Sequence, residues 1–337
     1  MLESGGEELP VRSLVLLDDP GRHAELVRRG TYISPVAGKI TLRAFSESWL
    51  ASRTFGPTTA EATELRLRLR LHIWPVLGGK LLSQVTPSVI QSWVRGLKGS
   101  ASSKKIMLTL LSPILGAAVD DGLVARNQTH AKSVKAPEPG KRKIEPWPAE
   151  QVAAGRAALP GRFQIVCDLG SGLGMRQGEI LGLATTDVEW LRKGGAVVHI
   201  RRQVRIVGRR MVFAPPKGGK ERDISLPESV ALALAAHLEE YPARPVTLPW
   251  LEPGGQPVTV ALVLTSAIGK AVNRNSFNTF QWKPALGKAG TPASRDNGTH
   301  ALRHHFASVL LHGGVDVRAL AEYPGHSDPG FTLRAYT

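Results

Sequence analysis

A single cysteine, Cys167, is all the thiol this 337-residue chain carries. One cysteine closes no internal disulfide and builds no thiolate zinc cluster, so a zinc finger is excluded and a reducing compartment is expected. Long apolar runs are lacking too: none reaches the ~18 residues that a membrane span needs. The start, MLESGGEELP, has neither the basic nor the apolar region of a secretory signal. Export is not expected, and a cytoplasmic location is. Acidic residues are the minority, 28 Asp+Glu against 43 Lys+Arg, for a formal charge of +15. Such an excess attracts polyanions and steers their approach, which puts nucleic acid first among partners, with solubility alone as the alternative. Against these shortages stand 42% hydrophobic residues and a length that supports two separate cores.

Two familiar motifs are also missing. The GLG of GLGMRQGEILGL follows no strand and never completes GxGxxG, so it is no dinucleotide fingerprint. His300 and His304 share an i,i+4 face, yet no HExxH glutamate lies between them and Arg303 would repel a cation, so no metal site is expected.

From Thr41 the apolar spacing is helical through four segments: TLRAFSESWLASR, TTAEATELRLRLRLHI, TPSVIQSWVRGLK and SSKKIMLTLLSPILGAAVDDG, the last ending at Gly122. In the third, Thr86 suits a cap and Pro87 a first helical position. Residues 41–131 therefore read as a small all-α domain, and residues 1–40 as a segment of unassigned role. Arg66, Arg68 and Arg70 alternate with leucines in the second segment and fan around a helix. A solvated face and a DNA contact both fit them. Between 132 and 146, the prolines and Gly140 of KSVKAPEPGKRKIEP forbid regular structure. Lys132, Lys135, Lys141, Arg142 and Lys143 make this a basic linker that an extended path could lay against phosphates, or simply a charged tether.

Residues 147–337 read as a second domain. Helical patterns come first in WPAEQVAAGRAALP, RFQIVCDLGSGLG and GMRQGEILGL. Alternation in AVVHIRRQVRIV, RRMVFAPP and ERDISLP predicts three short antiparallel strands. PESVALALAAHLEEY and NSFNTFQWKPALGKAG return to helix. The fold class is mainly α with a small antiparallel sheet, α+β.

The chemistry concentrates after Thr299. His300 and Arg303 are three apart on a predicted helix and can share a face. His326 follows a Pro-Gly turn, and a second short helix from about Asp328 carries Tyr336 near its end. Earlier, Arg176 opens a helical turn with Glu179 placed to orient its guanidinium. A surface i,i+3 ion pair is the plainer reading of those two. Lys217 precedes Gly218 and Gly219 at a predicted hairpin turn, from which a lysine can be delivered to a reaction centre or simply be solvated. Taken together, Arg176, Lys217, His300, Arg303, His326 and Tyr336 are coherent. Two guanidinium forks stabilise charge on phosphoryl oxygens without a metal, cations nearby make a tyrosine a better nucleophile, and a lysine or histidine can protonate a leaving oxygen.

At GMRQGEILGL, PKGGKERDISLP, HALRHHFAS, GHSDPGFTLRAY and the helical segment from Thr41, the chain resembles the tyrosine recombinases of the phage integrase family. The likeness is greatest to integrases of phages and mobile elements of high-GC Gram-positive bacteria. The resemblance implies a catalytic set of Arg176, Lys217, His300, Arg303 and His326, with Tyr336 as nucleophile and Glu179 in support. It implies that Arg176 and Arg303 hold the scissile phosphate, that Lys217 protonates the departing 5′ hydroxyl, and that the histidines assist. It also implies a core-binding domain and a catalytic domain forming a clamp on duplex DNA. The reaction would use 3′ phosphotyrosine links and a Holliday junction within a tetramer, with neither cofactor nor metal. The implied partners are attachment-site DNA, further copies of the chain, and accessory bending or directionality proteins.

The chain departs from that family's pattern at Pro324, where relatives carry an apolar residue such as leucine, and after Tyr336, which only Thr337 follows. The catalytic domain is therefore expected to lack its C-terminal tail, and residues 1–40 to be too short for a full arm-site domain. Two other activities are compatible with the same residues. One is type IB topoisomerase-like strand relaxation, and the other is DNA binding by a chain that truncation has inactivated.

Overall fold

In a computed structural model, described for residues 39–53, 65–138, 140, 145–190 and 195–315, the chain divides into two units, one reaching Gly140 and one running from Lys141 onward.

The first unit is helical. Helix α1 (Leu42–Ser52) starts where Thr41 Oγ1 accepts from the Ala44 amide at 3.2 Å, and α2 (Pro87–Gly96) where Thr86 Oγ1 accepts from Val89. Pro87 stands at the start of α2, where its missing N–H costs nothing. Helix α3 (Ala101–Asp120) closes before Gly122, whose φ of +69° lies in the left-handed region. Between α1 and α2 the leucine–arginine stretch is helical as the sequence predicts, and it widens into a π-helix over Leu69–Gly78 that holds Pro75. A proline cannot donate an i→i−4 bond, and a π turn is one way to carry it. The unit closes around Leu42, Leu69, Ile73, Leu77, Ile90, Leu111 and Ile114, all fully buried. Trp74 and Trp93 tie the π-helix to α1 and α2 by indole bonds to Ser46 Oγ and the His72 carbonyl.

The second unit is α+β, the class the sequence predicts. Helix α5 (Gly161–Leu173) runs through its core, flanked by α4 (Ala149–Ala158), the short α6 (Gln177–Leu181), α7 (Glu228–Glu240) and α10 (His300–His312). Arg274–Phe277 (α8), a π turn over Asn278–Trp282 and Lys283–Lys288 (α9) complete the helices described. Helix α10 lies close on α5 because Gly170 has no side chain: a Cβ there would stand 2.8 Å from Leu302 Cδ1.

The strands depart from expectation. Among the described residues there are seven rather than three, in three antiparallel sheets. Val188–Glu189 (β1), Val197–Ile200 (β2) and Arg222–Ser225 (β5) form one, with Val198 opposite both Val188 and Ile224. Gln203–Val207 (β3) and Arg210–Ala214 (β4) form a hairpin, and Arg244–Pro249 (β6) with Pro257–Leu262 (β7) form another. The stretch AVVHIRRQVRIV is two strands, not one. It breaks at Arg201–Arg202, where Arg202 turns inward to a two-pronged pair with Asp187, so the sheets on either side belong to different partners. The β6–β7 hairpin escapes a sequence reading because Pro245, Pro249 and Pro257 interrupt it. A two-stranded ribbon tolerates prolines that a central strand would not.

Candidate active site

Helix α5 ends at a glycine for two separate reasons. Gly174 takes φ +61°, and a Cβ on it would lie 2.4 Å from Phe306 Cδ1 of α10. With the chains this close, the Gly174 carbonyl accepts a 2.7 Å hydrogen bond from Arg303 Nη1. Arg303 is only 2% exposed, so this guanidinium is built into the protein and fastens α10 to the turn that leads into α6. Arg176 caps that turn, and its side chain keeps 19% of its surface exposed. The two arginines are thus brought to one short turn, one locked inside and one reaching outward.

Glu179, in α6, holds the turn together. Its carboxylate is fully buried, and its two oxygens accept from the Arg176 amide at 2.9 Å, Arg176 Nη1 at 2.9 Å, Arg222 Nη1 at 3.1 Å and Arg222 Nη2 at 2.7 Å. Burial pushes this carboxyl up. The paired Arg222 guanidinium, then the Arg176 amide and charge, outweigh burial and hold the group below the usual carboxylate range. The pair with Arg176 is therefore buried, and the plainer reading of a surface ion pair is set aside. On the far side of α6 a second buried carboxylate, Asp187, accepts from the Ala184 amide and from Arg202.

Lys217 is exposed on a tight turn closed by the Gly219 amide to the Pro216 carbonyl at 2.9 Å, with Gly218 and Gly219 both at positive φ. The turn is not a hairpin as predicted: β4 before it pairs with β3, and β5 after it pairs with β2, so it links two sheets. Its N-terminal base is held by Gln203 Nε2, which donates to the Pro215 carbonyl at 2.7 Å. Among the described residues no hydrogen bond or ion pair fixes the Lys217 ammonium.

Arg303 points inward, whereas His300 is exposed at the first turn of α10 and its ring stands edge-on to His304 at 4.6 Å. Burial, then the Arg303 charge, hold the His304 imidazole below its ordinary value, so it is neutral near pH 7. His305 Nδ1 donates to the Trp147 carbonyl at 2.7 Å. A cavity of about 720 Å³ opens beside His300 and His304, with Trp147, Arg295 and Asn297 in its wall. Asn297 fixes that wall by accepting from both Trp147 Nε1 and Trp282 Nε1 at 2.9 Å, the first with its side chain and the second with its carbonyl. Among the described residues no group of three or more metal-ligating side chains is assembled.

His326 and Tyr336 lie outside the described residues, as do Lys141, Arg142, Lys143 and Pro324. In the first unit Arg66, Arg70, Lys132 and Lys135 are exposed, and Arg68 is partly buried. Sequence reasoning missed Arg222, Arg202 and the Asn297 knot. A signal for Arg222 was available: on a strand it shares a face with Ile224, which is buried, and a cation on a buried face needs an anion.

Comparison with solved proteins places this architecture among DNA integrases. The Tn1549 transposon integrase, solved in complex with circular intermediate DNA, superposes with a TM-score of 0.72 at 18% identity, over 88% of this chain and 95% of that one. A lambda integrase solved as a tetramer bound to a Holliday junction gives 0.66 at 15% identity, over 94% and 85%. These define the fold class. The sequence goes further. Residues 153–337 match the phage integrase family and residues 41–98 its N-terminal SAM-like domain, so the chain belongs to the phage integrase family, the tyrosine recombinases. A tyrosine recombinase XerC-like protein of Caldanaerobacter subterraneus is 28% identical over 282 residues, covering 77% of this chain and 69% of that relative. The integrase of Mycobacterium phage L5 is 23% identical over 301 residues, covering 88% and 75%.

Proposed function

We propose that this recombinase cleaves and rejoins duplex DNA through a 3′ phosphotyrosine, to integrate or excise a mobile element. One observation supports the reading: Arg303 is bonded to the Gly174 carbonyl, two residues before Arg176, so both arginines belong to one short turn. Tyr336 attacks the scissile phosphorus, the bond to the 5′ oxygen breaks, and Lys217 delivers a proton to that oxygen. His300 and His326 assist proton transfer around the phosphate. The phosphotyrosine conserves the bond for a second 5′ hydroxyl, which attacks, restores the phosphodiester and frees Tyr336. No nucleotide cofactor or metal enters this balance.

The helical unit and the α+β unit act as a DNA clamp. Arg66, Arg68, Arg70, Lys132, Lys135, Lys141, Arg142 and Lys143 contribute phosphate contacts. Four copies work on two attachment sites at the nucleoid, with bending or directionality proteins setting the outcome. The test is product analysis. With two DNA sites taken from sequence flanking the coding region, recombinant junctions are expected. Relaxation of supercoiled DNA irrespective of sequence, with no junctions, would favour topoisomerase-like chemistry, and a gel shift with neither product would leave DNA binding alone.

A further inference from the structure

The Glu179 carboxylate is saturated. Two carboxylate oxygens offer about four acceptor sites, and the Arg176 amide, Arg176 Nη1 and both terminal nitrogens of Arg222 supply four donors. Glu179 therefore has no capacity left for a proton or a ligand, and its importance lies in how it distributes charge. Arg176 meets it through one guanidinium nitrogen, while Arg222 meets it with the parallel two-nitrogen geometry that is strongest for a carboxylate. Arg222 is also the more enclosed cation, with 10% of its side chain exposed against 19% for Arg176. The charged groups facing Glu179 are Arg176 from its own turn and Arg222 from β5.

We infer that Arg222 is a positioning residue for strand cleavage: as the counter-ion of Glu179, it leaves the charge of Arg176 available to the scissile phosphate and anchors the Lys217 loop to the Arg176 turn. Without Arg222, Arg176 and Glu179 would form a neutral pair, and the arginine facing the phosphate would bring its own counter-ion to it. The second half of the inference follows from chain order. Arg222 begins β5 directly after the loop that carries Lys217, so its bond to Glu179 fixes the C-terminal base of that loop, as Gln203 fixes the N-terminal base at Pro215. The Arg176 turn and the base of the Lys217 loop are thus joined through one buried carboxylate.

This inference rests on the strand-cleavage reading above, and its test has one arm that does not need cleavage. In that arm the Glu179 carboxyl is titrated by carbon NMR of glutamate-labelled protein, assigned with Glu179→Gln, in the wild type, Arg222→Gln and Arg222→Lys. The expected result is a carboxyl ionised below the usual range in the wild type and raised by at least about one pH unit in Arg222→Gln. In the second arm, single-turnover formation of the covalent adduct is followed across pH on nicked duplex. Arg222→Gln should slow the adduct about tenfold or more, and the acid limb of its profile should move upward, while DNA affinity measured on a Tyr336→Phe background changes little. Arg222→Lys, which keeps the charge but not the two-nitrogen geometry, should recover part of the rate. Should Arg222→Gln fail to fold, Arg222→Lys alone carries both arms, with a smaller shift of the same sign. A folded variant whose Glu179 titrates as in the wild type, or whose adduct rate and acid limb are unchanged, overturns the inference. Absence of adduct from the wild type counts against the strand-cleavage reading, and the NMR arm still decides whether Arg222 is the counter-ion.

Discussion

At the scale of single residues, the electrostatics turn on Glu179. Its folded carboxyl lies below the ordinary range, so the ionised form contributes stability that is fully present above the unfolded value and is lost as pH falls through the folded one. Urea unfolding followed from neutral to acidic pH should therefore show a loss of stability that Glu179→Gln lacks in that window. At neutral pH the same substitution leaves two enclosed arginines without their anion and should cost roughly 3–5 kcal/mol, the range for breaking a buried pair. A midpoint unchanged by Glu179→Gln would refute the assignment of Glu179 as the anion that holds this turn. Cys167 supplies a reporter that needs no engineering. Burial, then Asp168 beside it, push its thiol up to about 12, so a disulfide reagent should reach it only as the fold opens. Labelling of folded protein as fast as that of a free thiol would contradict its placement in the core.

At the scale of elements, two junctions set the site. Gly174 needs both its left-handed backbone and its bare α-carbon, so Gly174→Ala combines backbone strain with overpacking against Phe306. A loss of roughly 2–4 kcal/mol is expected from those two costs together, with DNA cleavage impaired because Arg303 is bonded at that residue. The loop before α10 depends on Asn297. Asn297→Ala removes the acceptor of the Trp147 indole and should cost about 1–3 kcal/mol, with altered tryptophan fluorescence as the direct readout. The sequence made the helices legible because their apolar spacing, the Thr86 cap and the Gly122 stop are local features. It also singled out Arg176, Glu179, Lys217, His300 and Arg303 as candidates, each from a short local motif. What it hid was partnership across distance. Arg222 and Glu179 lie 43 residues apart, and no periodicity links a strand residue to a helical turn. The pairing of β4 and β5 with different neighbours was hidden for the same reason. Proline disguised the β6–β7 hairpin, and the burial of Arg303 depends on the Gly174 carbonyl at the end of another helix.

At the scale of the whole molecule, the +15 formal charge attracts polyanions, and phosphate contact is the use to test. Exposed Arg66 and Arg70 of the helical unit are the first to test. If both contact the DNA backbone, replacing them with alanine should weaken binding uniformly across sequences and lower the slope of log affinity against log salt by about 0.9 for each contact. An unchanged slope would assign them to a solvated face. Metal-independent strand cleavage by Tyr336, with Arg176 and Arg303 at the phosphate, is the chemistry proposed above. Its most direct measurement is an incubation of the protein with nicked duplex from DNA flanking the coding region, in EDTA and without nucleotide, followed by denaturing electrophoresis. A protein–DNA adduct that resists SDS and disappears in Tyr336→Phe is expected. An adduct that persists in Tyr336→Phe, or no adduct from a protein that binds the same DNA, would contradict that chemistry.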